Sequence, residues 1–431
     1  MSDRGFSKID RRGFITALSA SVATILAMPA SAQTVIDDLL TSPKRGNWDD
    51  QFDAQSNQNQ TSSKVTSTVP IFSSQTVANV QRAIEQYQGI VNAGGWPVVP
   101  ASAVKMKVGA SDPAISILRQ RLMVSGDLSK SAGTSDRFDS YVDGAVKRFQ
   151  GRHGFPGDGV VGEYTLAAMN ISADVRLMQL QTNLGRIAAQ ADQMGERYVM
   201  VNVPAAAVEA VEGGRVAQRH TAVVGRIDRQ SPILDSVISN VMINPYWNAP
   251  ASIVEKDIIP LMQKDPNYLK DNAIHILRPD GSEIDPVSVN WNSNEAVSYR
   301  LRQDPGPHSA MASMKINYPN QFDTYMHDTP KQGLFNKIQR FESSGCVRVQ
   351  NVRDLGVWIL KDTPGWSRTE IEAQIATGQN REVPLGSKVN VHFTYITAWS
   401  TAEDVVHFRD DIYKKDGAQE LAINSGVGQA L

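Results

Sequence analysis

Two stretches carry most of what the sequence says about the C-terminal half: Tyr325-Met326-His327-Asp328-Thr329-Pro330 and Ser343-Ser344-Gly345-Cys346-Val347-Arg348-Val349. The first predicts a strand that ends at His327, and the second predicts a glycine turn that enters a helix at Cys346. A nearby imidazole and a helix N-terminus both favour the thiolate, which is the nucleophilic form of cysteine. Gly345 permits tight backbone geometry, so amides at this turn can point together at an oxyanion.

Short alternating apolar runs surround this pair and predict a β-centred domain. They occupy 199–203, 207–211, 217–224, 237–243, 313–318, 321–326 and 388–395. A helix is predicted over 350–361. Residues 251–295 interrupt the β pattern with a helix and a loop rich in Pro and Asp, which predicts a helical insert over the sheet. We expect the domain to cover 197–400 and a tail to follow at 401–431.

The preceding part of the chain is predicted to be helical. Amphipathic stretches with Gly-rich joints predict a small three-helix bundle over 101–172. A helical lead-in at 76–100 comes before it, and a connecting helix at 173–196 follows. The fold class expected from both halves is α+β multidomain.

The N-terminus has the three parts of an export signal. Arg11 and Arg12 precede a short apolar segment, and Ala30-Ser31-Ala32 provides a small-x-small cleavage site. The arginine pair resembles the twin-arginine class, and a general secretory signal is the alternative. Residues 33–75 are rich in Ser, Gln, Asn and Thr, which predicts a disordered tether. We expect residues 1–32 to be removed, and a periplasmic protein with no integral membrane segment to remain.

Composition excludes several classes of protein. The chain has 431 residues, with 43 Lys and Arg against 45 Asp and Glu, so a surface built to bind nucleic acid is not expected. Cys346 is the single cysteine, which excludes an internal disulfide and a Cys-rich zinc site. The histidines lack metal-ligand spacing, so we expect no metal and no cofactor. Unless it is reactive, Cys346 would be a small buried apolar residue, as single cysteines often are.

Taken together, the motifs resemble the L,D-transpeptidases with a YkuD-type catalytic domain, in particular the large Gram-negative branch. The resemblance rests on the His327 and Cys346 stretches and on 244–250, 299–307 and 395–399. The helical part resembles a peptidoglycan-binding module at 144–150, 154–155 and 158–166. One departure is His308-Ser309-Ala310-Met311-Ala312, which stands where many relatives carry an Asn-Ala-Leu-Gly type stretch.

The resemblance implies an acyltransferase that transfers a tetrapeptide stem to the diamino acid of a neighbouring stem with release of D-Ala. Its implied partners are peptidoglycan stem peptides and glycan, and carbapenems are expected to acylate it. Cys346 would be the nucleophile and His327 the general base and then acid. The backbone carbonyl of Asp328 would orient the imidazole, and the Gly345 amide would stabilise the oxyanion. The residues implied to contact the substrate are Arg348 for a carboxylate, together with Ser344 and Tyr325.

Three alternatives remain open from the sequence. Water can accept the same acyl-enzyme, which gives an L,D-carboxypeptidase, or a lipoprotein lysine can accept it, which attaches that lipoprotein to the wall. A non-catalytic wall-binding scaffold needs the helical module alone.

In the enzyme that the resemblance implies, the insert at 251–295 would cap the thioester and shield it from water.

Overall fold

The structure is a computed structural model that describes residues 67–306, 308–402, 405–418 and 421. The predicted export signal at 1–32 and the tether as far as residue 66 lie outside the described residues, as does most of the final segment. Among the residues described, none of the helices combines the length and apolar character that crossing a bilayer requires.

Five α-helices precede the first strand within the described ranges. They are α1 (Ser74–Asn92), α2 (Pro113–Val124), α3 (Ser140–Arg152), α4 (Glu163–Asn170) and α5 (Ala173–Ala188). Asp112 caps α2 by accepting a hydrogen bond from Ala114 N, and Asp139 caps α3 in the same way. Helices α2 to α4 enclose one apolar core that includes Leu118 and Phe149. The predicted three-helix bundle is therefore confirmed.

The C-terminal half is built mainly of strands. They are β1 (Arg197–Asn202), β2 (Ala207–Glu212), β3 (Arg215–Gly225), β4 (Leu234–Val237), β5 (Asn240–Ile243), β6 (Trp247–Asn248), β7 (Ile274–Leu277), β8 (Glu283–Ile284), β9 (Arg300–Gln303), β10 (Met314–Asn317), β11 (Met326–His327), β12 (Phe341–Ser343), β13 (Val347–Val349), β14 (Arg381–Pro384), β15 (Asn390–Thr394), β16 (Ala398–Ala402) and β17 (Val405–Phe408). Two further helices are α9 (Val352–Ile359) and α10 (Arg368–Ala376).

Eleven of these strands form one sheet in the order β14-β5-β10-β11-β13-β3-β2-β1-β15-β4, with β12 paired to β3. Only two residues, Ile238 and Ser239, separate β4 from β5, although the two strands lie near opposite ends of this order. The sheet must therefore curl until its ends approach each other. Ile238 N donates to Val389 O and Ser239 N donates to Asn317 O, so the link joins both ends.

The two faces of the sheet have different neighbours. The inner face packs with α9 and α10 in an apolar core that includes Met314, Met326, Val347 and Leu355. The outer face at β1 packs with α1, α5 and the β16–β17 hairpin. Because side chains alternate along a strand, residues next to the core positions of β10, β11 and β13 point to the outer face. That part of the outer face holds the candidate site.

The insert is more ordered than the sequence predicted. It contains α6 (Ala251–Ile253), a π-helical turn at Val254–Ile258, α7 (Ile259–Lys264) and α8 (Tyr268–Asp271). The predicted Pro- and Asp-rich loop also contains strands, and a second sheet forms in the order β6-β9-β7-β8. An apolar core of its own supports the insert. Because β9 belongs to this sheet, the insert extends beyond residue 295.

Several predicted boundaries were wrong. The strand predicted over 237–243 is two strands, because the chain changes partners between β4 and β5. Residues 321–324 do not pair, because Asn320 Oδ1 accepts hydrogen bonds from Phe322 N and Thr324 N and holds a turn. The tail predicted at 401–431 contains β17, which pairs with β16.

The end of the predicted tether also packs on the sheet domain. Ser67 Oγ donates to Thr401 O at 2.8 Å, and Val216 N donates to Thr68 O at 2.8 Å. Helix α1 begins at Ser74 because the Ser73 hydroxyl accepts a hydrogen bond from Thr76 N.

A buried ion pair fastens the three-helix bundle to the β16–β17 hairpin. Arg152 contacts both carboxylate oxygens of Asp127 at 2.7 and 2.6 Å, and both side chains are less than a tenth exposed. The same guanidinium donates to Val406 O at 3.3 Å, and Arg409 donates back to Arg152 O at 3.0 Å. The bundle is therefore fixed to the sheet domain by polar contacts that water does not reach.

Replacing Asp127 with Asn should destabilise the fold strongly. The substitution leaves the Arg152 charge buried without its counterion, which costs about 3–5 kcal/mol in comparable sites. The matched control is Asp143→Asn, which removes a partly exposed pair with Lys147 on one helix and should cost about 0.5 kcal/mol or less. Urea unfolding of the three proteins measures both changes, and equal losses would contradict the role given to the buried pair.

Candidate active site

Parallel pairing of β11 with β13 brings the two predicted motifs together. Met326 is opposite Val347 and His327 is opposite Arg348, while Val347 N donates to Tyr325 O at 3.1 Å. Met326 and Val347 belong to the core, so their sequence neighbours point to the outer face. Cys346 is therefore on the same face as His327.

Cys346 does not begin a helix, contrary to the sequence prediction. It follows a glycine turn and leads into β13, and α9 begins only at Val352. Asn351, in the left-handed conformation with φ of 53°, separates strand from helix. The Val347-Arg348-Val349 stretch after Cys346 fits a strand as well as a helix start, because runs this short do not distinguish the two. A helix dipole therefore does not favour the thiolate here.

The glycine turn before Cys346 is held by two serines. Gly345 has φ of 114°, and a β-carbon there would lie 3.4 Å from Gln230 O, so glycine is required. Ser231 Oγ donates to Gly345 O at 2.8 Å, and Ser343 Oγ donates to Cys346 O.

The amide of Gly345, predicted to be an oxyanion donor, already donates to Ser343 Oγ at 3.2 Å. The amides of Ser344 and Cys346 have no hydrogen-bond partner within the described ranges. These two amides, rather than that of Gly345, are the donors left open beside the thiol.

His327 is almost completely buried, and its ring is uncharged at neutral pH. Burial lowers its pKa to about 3, and the positive charges of Arg348 and Lys315 act in the same direction. The peptide carbonyls of Asp328 and Ala310 oppose this shift. Neither carbonyl forms a hydrogen bond of normal geometry with Nδ1, which is buried without a partner in the part of the chain described.

The carboxylate of Asp328 is engaged elsewhere. It accepts hydrogen bonds from Ser313 N at 3.2 Å, from the Ser313 hydroxyl and from Thr329 N at 2.8 Å. Any influence of Asp328 on His327 therefore passes through its backbone carbonyl, which is the role the sequence resemblance implied and which stays a prediction.

Cys346 as a residue is intermediate between buried and exposed. Burial raises its pKa, against the opposing effects of the Tyr325 backbone and hydroxyl and of Lys315 and Arg348. The resting pair is consequently a neutral thiol and a neutral imidazole, not the thiolate that the sequence suggested. Tyr325 lies next to both groups, with its ring centroid 5.5 Å from that of His327.

Two cations border the pair. They are Arg348, which the sequence predicted, and Lys315, which the sequence did not reveal. Neither side chain forms a hydrogen bond or an ion pair with any residue that the structure describes. Lys315 lies on β10 opposite His327, and its Nζ is 4.0 Å from the Tyr325 ring centroid. The sequence alone suggests that a lysine between Met314 and Ile316 occupies an outward-facing position of a strand. Only the pairing of β10 with β11 shows that this position is at the site.

Ser344 connects the glycine turn to the insert. Its hydroxyl accepts a hydrogen bond from Arg229 Nη1 at 2.9 Å. The same guanidinium binds both carboxylate oxygens of Asp257 at 2.5 and 3.1 Å. Asp257 belongs to the π-helical turn of the insert, so Arg229 holds the insert against the turn that carries the thiol. The sequence analysis missed both residues, because they are distant from the motifs along the chain.

Trp247, His308 and Trp399 also belong to the sequence stretches discussed above, and of these Trp247 contacts Tyr325 beside the pair. His308 is exposed, and Trp399 is buried and stacked on His407 with ring centroids 5.2 Å apart. Trp247 packs against the core of the insert. Within the described ranges, no group of three His, Cys, Asp or Glu side chains is placed to hold a metal ion.

Two family models match the chain. The model described as "L,D-transpeptidase catalytic domain" (YkuD) matches 196–389, and the model described as "Putative peptidoglycan binding domain" matches 111–169. A curated relative from Haemophilus influenzae, named "Putative L,D-transpeptidase", is 36% identical over 225 residues. The matched part covers 52% of this chain and 45% of the relative, so the chain spans less than half the length of that relative.

Solved structures of L,D-transpeptidases are also similar to the chain. The structure from Xylanimonas cellulosilytica is 16% identical, covers 68% of this chain and 100% of its own, and has a TM-score of 0.22. The structure from Stackebrandtia nassauensis is 13% identical, covers 68% of this chain and 97% of its own, and has a TM-score of 0.24.

The reactivity of Cys346 should depend on pH as a buried neutral thiol does. Because burial raises the thiol pKa, the thiolate fraction and the rate of alkylation by iodoacetamide should still be rising above pH 9. Because the His327 pKa is lowered to about 3, no inflection is expected between pH 5 and 8. Urea-unfolded protein is the control and should titrate near the ordinary thiol pKa of about 8.5. A rate that is already constant from about pH 5 would indicate a thiolate–imidazolium pair instead.

Proposed function

Because residues 196–389 form a YkuD-family L,D-transpeptidase catalytic domain and residues 111–169 form a peptidoglycan-binding domain, we propose that this protein cross-links peptidoglycan through a cysteine acyl-enzyme. Cys346 attacks the carbonyl that joins the third residue of a tetrapeptide stem, a diamino acid, to the terminal D-Ala. D-Ala leaves, and the side-chain amine of a neighbouring stem then attacks the thioester. The observation that carries the proposal is the placement of Cys346 and His327 on the same face of two paired strands.

The uncharged state of the pair determines how the proton moves. His327 takes the thiol proton as the sulfur attacks, because the thiol is not ionised beforehand. The resulting imidazolium is a strong acid because it is buried, and the nearby charges of Arg348 and Lys315 lower its pKa further. It therefore gives the proton readily to the departing D-Ala nitrogen. In the second half-reaction, the neutral imidazole takes a proton from the attacking amine and returns it to the sulfur.

Charge on the tetrahedral intermediate is stabilised at the glycine turn. The amides of Ser344 and Cys346 are the open donors there, and one well-placed donor contributes about 2.7–4 kcal/mol in protease precedents. Their geometry depends on Gly345, whose positive φ and serine contacts fix the turn.

The insert acts as a cap over the thioester in this proposal. Its contact with the catalytic turn through Arg229 and Asp257 supports a closed arrangement that limits the entry of water. The resemblance of residues 1–32 to an export signal supports the periplasm as the compartment of the proposed reaction.

Purified protein with disaccharide-tetrapeptide should give cross-linked dimers and D-Ala. Mass spectrometry measures both products, and Cys346→Ala should abolish them because the nucleophile is absent. Tripeptide without dimer would overturn transpeptidation in favour of hydrolysis.

A carbapenem should leave one acyl adduct that maps to Cys346, because its lactam carbonyl resembles the stem amide. Mass spectrometry of the intact protein and its peptides measures the adduct. An adduct at another residue, or none with the thiol intact, would contradict the mechanism.

Weakening the cap should increase hydrolysis relative to transfer. Asp257→Asn removes the charge that pairs with Arg229. Because a partly exposed ion pair of this kind contributes at most about 1 kcal/mol, we expect the ratio of hydrolysis to transfer to rise by up to about fivefold. The ratio of tripeptide to dimer measures the effect. Asp271→Asn, an exposed position on the same insert, is the matched control and should leave the ratio unchanged. An unchanged ratio in Asp257→Asn would count against the cap.

A further inference from the structure

Lys315 occupies a position to which the reaction as described assigns no contact with the substrate. It lies on β10 opposite His327, and the strand neighbours Met314 and Ile316 are in the core, so its side chain points to the outer face. The ammonium lies over the Tyr325 ring, with Nζ 4.0 Å from the centroid. Because Tyr325 also contacts Cys346, the charge of Lys315 reaches the space in front of the sulfur.

The ammonium has no anionic partner in the part of the chain that the structure describes. It forms no salt bridge there, and the charged group that acts to raise its pKa is Cys346 itself, against the stronger effect of burial. Arg348, on the other side of the pair, likewise lacks a hydrogen-bonded partner among the described residues. A partly buried cation without a counterion is costly unless a ligand supplies the charge. The Glu342 carboxylate favours the charged form of Arg348, so Lys315 is the cation of the two that lacks a nearby carboxylate. Together the two cations beside one thiol form a receptor for a carboxylate.

We propose that Lys315, together with Arg348, binds the terminal carboxylate of the donor stem and so selects stems that end one residue after the bond that is cleaved. This inference rests on the proposed function. It makes Lys315 a substrate-binding residue that acts on specificity.

The covalent structure of the substrate supplies the reason for choosing the terminal carboxylate. In a tetrapeptide stem, that group is separated from the scissile carbonyl by one residue, a span of about 3.8 Å between consecutive Cα atoms. A carbonyl in contact with Cys346 therefore places this carboxylate within reach of the cations next to the sulfur. One additional residue would move the charge away by about 3.3–3.6 Å, beyond a direct contact.

The alternative role for Lys315 is to stabilise the thiolate without contacting the substrate, because its charge opposes the rise in the Cys346 pKa. The two roles differ in one respect. An effect on the thiol changes the rate with every donor equally, whereas carboxylate binding affects only donors that carry the charge.

The experiment compares a disaccharide-tetrapeptide donor with the same donor amidated at its C-terminus. In the unmodified protein, kcat/KM for release of the terminal residue should favour the free acid by about 10- to 100-fold, the range of a charge-assisted contact. In Lys315→Met this preference should fall to a few-fold, and Lys315→Arg should retain most of it. Lys388→Met, at an exposed site before β15, is the matched control and should keep the full preference. Equal losses for acid and amide in Lys315→Met would overturn the proposal.

A binding measurement separates failure of this proposal from failure of the proposed function. In a Cys346→Ala background, which cannot react, calorimetry with the same acid and amide donors should give a preference for the acid that Lys315→Met removes. Equal affinity for acid and amide with Lys315 present would overturn the subsite even in an active transpeptidase. A preference that depends on Lys315 would support it even if the unmodified protein proved to hydrolyse its donor.

Discussion

The parallel pairing of β11 with β13 is the constraint on which the site depends. Its register places Met326 and Val347 in the core, and this alone puts His327 and Cys346 on the open face. A shift of one residue would exchange the two sets, burying the imidazole and thiol and exposing apolar side chains. The free energy of core burial therefore maintains the geometry of the pair, and the site needs no direct bond between its two members in order to exist.

Low polarity and positive charge act together at this face. Burial suppresses charge on both the thiol and the imidazole, while Lys315 and Arg348 favour an anion over a second cation. The environment is thus matched to negative charge that develops on the substrate during attack. A resting thiol that is largely un-ionised is also less prone to oxidation, because the thiolate is the form that oxidants attack.

The sequence predicted the helices, most strands and the two central motifs, because each depends on local periodicity. The Gly345 turn was recognisable for the same reason. The sequence did not predict that Cys346 leads into a strand, since Val347-Arg348-Val349 suits either a strand or a helix until its pairing partner is known. Lys315, Arg229 and Asp257 were missed because their relation to the thiol arises from contacts between segments far apart in the chain. The predicted ionisation state of the thiol was wrong. Burial, which depends on the whole fold, raises the thiol pKa by more than the nearby cations lower it.

The curled sheet has a consequence for how the chain acquires its structure. Strand β1 pairs with β15, which comes almost two hundred residues later, and β15 in turn carries β4 on its other side. This end of the sheet therefore stays incomplete until nearly all of the domain has been synthesised. Contacts so distant in sequence make folding slow, and until β15 arrives the edges of β1 and β4 are unpaired templates for association with other chains. A nascent or truncated chain that stops before residue 390 would present these edges, so protection during synthesis is a requirement of this topology.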